Sequence, residues 1–245
     1  MPALIALHQT SERGRKDLED GGRNANMGYA PELARRGYVV ICPDYPSFGD
    51  SSKYDFAADA YPSGTIKGIV NHMRAVDLLV ARDDVDPERI GAIGHSLGGH
   101  NAIFLGVFDE RIKVVVSSCG WTPFHDYMGG KIAGWTSDRY MPRLRDVYKL
   151  DPDKVPFDFP ELIAALAPKA FFSVSPTHDD NFAVDGVRKG IAAALPIYEL
   201  LGVKDKLQVR YPEGKHDFAP DMREAAIRFL DENLGNAVKA KRISE

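Results

Sequence analysis

Two rhythms of apolar and polar residues take turns along the chain. Short runs dominated by apolar residues occur at 3–7, 38–42, 90–93, 114–118, 171–175 and 207–211, the pattern of buried strands. Between them apolar positions recur at helical spacing. A helix is expected over 29–36, stopped by Gly37. A longer one follows Ser63 as N-cap, with Ile66, Ile69, Val70, Met73, Val76 and Val80 on one face and Lys67, Asn71, Arg74 and Asp77 interleaved. Another carries Leu97, Ala102, Ile103 and Leu105. A helical stretch over 184–201 is expected to be interrupted at Pro196. The last helix has Pro220 in its first turn and Met222, Ala226, Phe229 and Leu230 on one face. Strands alternating with helices predict an α/β fold with a mostly parallel sheet of about six strands, covered on both faces.

Two segments break this rhythm. Residues 45–62 read as a loop. From 119 to 168, Trp121, Phe124, Tyr127, Trp135, Tyr140 and Met141 are set among glycines, prolines and charges. This second stretch reads as an insertion between two strands, either a surface excursion or a cap over a site. At 245 residues, the chain 1–245 is expected to form one domain carrying the insertion 119–168. The charged tail 239–245 is expected to fray.

Composition narrows the function classes. With 44% hydrophobic residues and a net charge of −4, from 31 Lys+Arg against 35 Asp+Glu, the chain is too ordinary for disorder. It shows no basic stripe for nucleic acid or an anionic membrane. No apolar run approaches the roughly 20 residues that cross a bilayer, and the first residues lack the basic start and cleavage site of a secretory signal. A cytoplasmic protein without nucleic-acid or membrane partners is the expectation, and the start almost directly in a strand leaves room for an upstream segment. Oligomeric state is not legible.

The chemistry gathers at Gly94-His95-Ser96-Leu97-Gly98-Gly99, between an apolar strand and a helix. A bare G-x-S-x-G arises by chance in roughly one chain of this length in ten, so its weight comes from context. A serine at a strand-to-helix corner is thrust out of the fold, and flanking glycines remove side chains that would collide there. Its hydroxyl needs a base, and an imidazole base needs a carboxylate to fix its tautomer. Ligand sites in a parallel sheet lie at the carboxyl ends of the strands. Two other strand ends carry suitable groups: Asp179 and Asp180 in one loop, His216 in the other. The H-E-x-x-H spacing of a zinc site is missing around His95 and His100, so no metal is assigned. His72 is expected on the surface or in packing, and His178 is a weaker candidate for lining the site.

Taken with Leu7-His8-Gln9-Thr10, Arg36-Gly37-Tyr38-Val39-Val40, Asp179-Asp180-Asn181-Phe182 and Gly214-Lys215-His216-Asp217-Phe218, the elbow makes the chain resemble the α/β-hydrolases. Within them it is similar to the dienelactone-hydrolase and acetyl-xylan-esterase-like branch. The resemblance implies Ser96 as nucleophile, His216 as base and Asp179 as its partner. It departs in having serine where dienelactone hydrolases carry cysteine, and in lacking the two strands that usually precede the His8 strand. The oxyanion hole of this fold takes the amide of the residue after the nucleophile, Leu97, and one from the loop after the first strand. By position that donor is Thr10. Gln9, standing where glycine is usual, is the alternative and could also reach the site through its side chain. Family strand order puts Cys42 and Cys119 about three strand spacings apart, roughly 14 Å, beyond a disulfide's reach.

The sequence therefore predicts a cofactor-independent serine hydrolase of small carboxylic esters, with short acyl or acetyl groups and carbohydrates among the candidate alcohols. A prolyl-oligopeptidase-like peptidase, a thioesterase and a non-catalytic binding protein are the alternatives. Trp121, closely following its strand, is expected to wall a small acyl pocket.

Overall fold

The computed structural model describes residues 1–61 and 63–236, so the tail 239–245 lies outside the described residues. Six strands form one sheet: β1 (Ala3–Leu7), β2 (Val39–Ile41), β3 (Ile90–His95), β4 (Ile112–Ser118), β5 (Ala170–Val174) and β6 (Leu207–Arg210). The order is β2-β1-β3-β4-β5-β6 and every pairing is parallel. Parallel pairing gathers all carboxyl ends on one edge, so the residues after β1, β3, β5 and β6 can meet there.

Strand side chains alternate between two cores. Ala3, Ile5, Leu7, Ala92 and Val115 face a core closed by the helices α3 (Gly64–Val80), α4 (Leu97–Phe108), α6 (Phe159–Leu166) and α7 (Val184–Leu200). Leu4, Ala6, Ile93, Val114 and Val116 face a core closed by α1 (Lys16–Asp20), α2 (Ala30–Arg35) and α8 (Pro220–Asn233). Burial on both faces explains why these strands read as apolar runs rather than alternations. Ser63 caps α3 as expected, its side chain accepting from the Ile66 amide at 3.1 Å.

Two expectations change. Helix α7 runs unbroken through Pro196. Pro196 and Ala192, whose carbonyl loses its donor, are both exposed, so water can replace the missing bond. The irregular stretch is also shorter than 119–168 suggested. Its last part is α6, packed against α4 and α7 and opened by a capping box between Asp158 and Glu161. What remains carries short helical turns at Tyr127–Gly129, Ile132–Trp135 and Pro152–Lys154 and the single-turn α5 (Arg143–Asp146). It is stitched to the start of α3, where the Gly64 and Thr65 amides donate to the Asp138 and Tyr140 carbonyls at 2.7 and 3.1 Å. Among the described residues no helix is long and apolar enough to cross a membrane.

Four imidazoles are sealed in this fold, and they make it acid-sensitive: burial lowers the pKa of His8 in the loop after β1 and acts further on three others. His72 on α3, His95 on β3 and His100 on α4 are buried, and burial pushes the pKa of each from 6.5 down to about 3. The unfolded chain therefore binds more protons than the folded one between those two values, and stability falls as the pH drops below about 6.5. Three protons give a slope approaching about 4 kcal/mol per pH unit, against a typical domain stability of roughly 5–15 kcal/mol. Circular dichroism is expected to show cooperative unfolding between roughly pH 5.5 and 4. His100→Phe should make the loss shallower by one proton, because neither ring nitrogen of His100 has a hydrogen-bond partner among the described residues. A stability curve flat from pH 6.5 to 4.5 would contradict this account.

Candidate active site

Ser96 stands between β3 and α4 with φ 54° and ψ −121°, a strained conformation for a residue with a side chain. The surrounding contacts hold it there. Its amide donates to the Ser118 carbonyl at 2.8 Å, and its carbonyl accepts from His100 in the first turn of α4. The flanking glycines are required by close approach: a Cβ on Gly94 would lie 2.2 Å from the Gly98 carbonyl carbon, and one on Gly98 would lie 2.0 Å from the Leu7 carbonyl oxygen. The elbow helix can cross so near the sheet only without those atoms.

The acid and base loops are brought together by an extension of the β5–β6 ladder. Past the strand ends, Ser175 donates to Arg210, Thr177 to Pro212 and His178 to Gly214, each backbone bond 2.9 Å long. These bonds hold the two loops in register, and His216 Nδ1 then lies 3.0 and 2.9 Å from the two carboxylate oxygens of Asp179. Because a carboxylate only accepts, Nδ1 carries the proton and Nε2 is left as the basic nitrogen. Asp179 is buried, whereas the adjacent Asp180 is exposed. Burial by itself would raise the Asp179 pKa, but His216 and the amides of Asn181 (2.8 Å) and Phe182 (3.1 Å) hold it below the ordinary value. The carboxylate is therefore ionised at neutral pH.

Ser96, Leu97, His216, Gln9 and Thr10 line one cleft of about 370 Å³. Its remaining walls are His95, Tyr127, Gly134, Trp135, Tyr140, Asn181 and Phe182. Among the described residues the Ser96 hydroxyl makes no hydrogen bond, and the amides of Gln9, Thr10 and Leu97 have no acceptor. Leu97 is the first residue of α4, where an amide has no partner within the helix. Unengaged hydroxyl and amide donors thus share a cleft with the Asp179–His216 pair.

The loop after β1 is fixed from behind. His8 stacks on Tyr45 with centroids 3.8 Å apart, its Nδ1–H donates to the Gln9 carbonyl at 2.7 Å, and Tyr45 Oη donates to the His8 carbonyl at 2.9 Å. The Gln9 side chain does not extend freely into the site, since its Nε2 donates to Asp17 Oδ2 at 2.9 Å. Farther along, Asn24 and Asn26 donate to the two oxygens of Asp217 at 2.9 and 2.7 Å, tying this loop to the one carrying His216.

Two side chains differ from the sequence expectation, and a third has a neighbourhood the sequence does not show. Trp121 does not line the cleft: it is 1% exposed, donates through Nε1 to Ser173 Oγ at 3.1 Å, and lies under Gly190 of α7. Leaving β4 with little slack sends its ring into the core beneath α7 rather than over Ser96. The aromatic wall comes instead from Tyr127, Trp135 and Phe182, with Trp135 stacked on buried His100 at 4.7 Å. Second, His178 is exposed and faces Glu213, outside the cleft lining. Third, Cys119 is free, in line with its expected distance from Cys42, and its buried thiol sits beside the acid and base, with ligand atoms of Cys119, Asp179 and His216 all within 4.8 Å of one another. Burial and the Asp179 charge hold its pKa well above the usual thiol range, so it stays protonated. No spacing in the sequence marks this proximity, because it depends on the positive φ of 49° at Cys119 that turns the chain beside β5.

Comparison with known proteins places this geometry. YtaP of Bacillus subtilis (strain 168), which carries the general designation of a hydrolase, is 26% identical over 95% of this chain and 79% of its own length. Similar solved structures include a glucuronoyl esterase from Solibacter usitatus, 21% identical, with TM-score 0.71 over 95% of this chain and 74% of that one. A carbohydrate esterase family 15 glucuronoyl esterase from Caldicellulosiruptor kristjansonii is 20% identical, with TM-score 0.73 over 100% of this chain and 72% of that one. At these identities the two structures establish the fold. The model of the alpha/beta hydrolase family matches residues 23–233, and the chain belongs to that family.

Proposed function

We propose that the protein hydrolyses short-chain carboxylic esters through an acyl-enzyme at Ser96. The observation that carries this reading is the Asp179–His216 pair, bonded through both carboxylate oxygens, in the same cleft as a serine held at φ 54°. His216 Nε2 takes the Ser96 proton as the hydroxyl attacks the ester carbonyl. The amides of Leu97 and of Thr10 or Gln9 then stabilise the oxyanion, and His216 gives the proton to the departing alcohol. Water attacks the acyl-enzyme by the same route, returning Ser96 and releasing the acid. Asp179 holds the Nδ1–H tautomer and stabilises the imidazolium. This sequence calls on no cofactor. The esterase designations of the similar structures and of a carbohydrate esterase 24% identical over 65% of this chain and 42% of its own length support the reaction class.

The cleft supports a small acyl group, because Tyr127, Trp135 and Phe182 wall it with rings and Trp135 is braced by His100. Turnover is expected to fall steeply from acetyl or butyryl to octanoyl nitrophenyl esters. An added methylene in a pocket is worth only about 1–3 kcal/mol, so a steep fall reflects steric exclusion. Trp135→Ala should flatten the profile, whereas Trp121→Ala should act chiefly on stability by leaving a core cavity. Hydrolysis of none of these esters would refute the proposed activity, and a preference for octanoyl would refute the small acyl site.

A further inference from the structure

Beside the catalytic cleft lies a second hollow of about 560 Å³, and the two meet at Gln9 and Thr10, which line both. Its chemistry differs from that of the aromatic cleft. Three guanidiniums, of Arg13, Arg23 and Arg139, and two carboxylates, of Glu12 and Asp17, line it together with Phe48. Arg13 is already satisfied, since it donates to both Asp17 and Asp20. Arg23, Arg139 and Glu12 have no ion-pair partner among the described residues. Two uncommitted guanidiniums therefore stand against one uncommitted carboxylate.

Arg139 is also pre-positioned. Its guanidinium lies 4.7 Å from the ring centroid of Phe48, which is buried, so the cation rests on a fixed aromatic floor with its N–H edge available. The backbone beneath it is anchored, because the carbonyls on either side, of Asp138 and Tyr140, accept from α3. Thr10 Oγ1 and Tyr140 Oη are hydrogen-bonded at 3.0 Å and join the two loops at the boundary between the hollows. A planar guanidinium held in this way suits a carboxylate better than a neutral polar group.

We propose that this hollow is a subsite for a carboxylate on the alcohol half of the ester, held by Arg23 and Arg139. The assignment rests on the proposed ester hydrolysis at Ser96. The acyl half occupies the ring-lined part of the cleft, and the alcohol half runs along Gln9 and Thr10 toward the guanidiniums. The preferred substrate class is then a short-chain acyl ester of a hydroxy acid or an acidic sugar, rather than of a neutral alcohol.

The test compares para-acetoxybenzoate with its uncharged counterpart para-acetoxybenzamide, in the wild type and in Arg23→Gln, Arg139→Gln and the double variant. The expected result is a kcat/KM preference for the benzoate of about tenfold per guanidinium, carried mainly by KM. The preference should shrink with added salt, disappear in the double variant and be partly kept in Arg139→Lys. Equal rates for the two esters, or a preference that survives the double variant, would overturn the subsite. Binding of para-hydroxybenzoate against para-hydroxybenzamide to the Ser96→Ala protein separates this proposal from the catalytic one. Arginine-dependent selectivity for the benzoate upholds the subsite even if neither ester is hydrolysed, a result that would sink the ester-hydrolysis reading alone. No selectivity in binding or in turnover removes the subsite.

Discussion

Ser96→Ala is expected to lower kcat for an acetyl ester by roughly five to six orders of magnitude, as loss of the nucleophile does in serine hydrolases where the triad acts as a unit. The fold should survive. The Ser96 hydroxyl has no hydrogen-bond partner among the described residues, so its removal strands no buried group. Alanine also carries a Cβ, so the strain of φ 54° is the same before and after the change. The melting temperature should therefore shift by no more than about 2–3 °C. A fluorophosphonate probe should label the wild type and leave Ser96→Ala unlabelled. Retained turnover would rule out Ser96 as nucleophile, and loss of activity together with the folding transition would make the serine structural.

Asp179→Asn should cost about four orders of magnitude in kcat, because the wrong imidazole tautomer is then favoured. The local bonds explain how. Oδ1 of residue 179 accepts from the Asn181 and Phe182 amides, so an asparagine keeps its oxygen there and turns its NH2 toward His216. The donor takes the nearer position, 2.9 Å from Nδ1, and Oδ1 is already engaged by two amides, so the tautomer with the proton on Nε2 is favoured, where it blocks general-base action. Asp180→Asn is expected to change kcat by no more than about threefold, since Asp180 is exposed, does not line the cleft and makes no hydrogen bond or ion pair with His216 among the described residues. Steady-state kinetics on the two variants decide the matter. Reversed penalties would make Asp180 the partner of His216.

The order of the elements and the position of the elbow were legible in the chain because both rest on local rules. Apolar runs such as 3–7 mark strands buried on both faces, and the spacing from Ile69 to Val76 marks a helix with one face on the sheet. Gly94 and Gly98 are demanded by a close approach that any strand-to-helix corner of this kind imposes. Sequence alone could bring Asp179 and Asp180 to a strand end but left the choice between them to family resemblance. The backbone bonds that extend the β5–β6 ladder make that choice, because they fix which carboxylate turns inward to His216.

Other features were decided only by tertiary contacts. Trp121 and Trp135 belong to the same aromatic-rich stretch, and nothing in their spacing says which one enters the core. Trp121 finds Ser173 and α7, while Trp135 stacks on His100 and reaches the cleft. The Cys119 thiol beside the acid and base, and the hollow where Arg23 and Arg139 meet across more than a hundred residues, follow from loop conformation and sheet order. The sequence by itself determined the six strands, the helices with a clear apolar face and the place of Ser96 between a strand and a helix, since each depends on periodicity or on close neighbours. Which side chains face one another across the carboxyl edge of the sheet depends on packing between distant segments, and only the tertiary structure decided it.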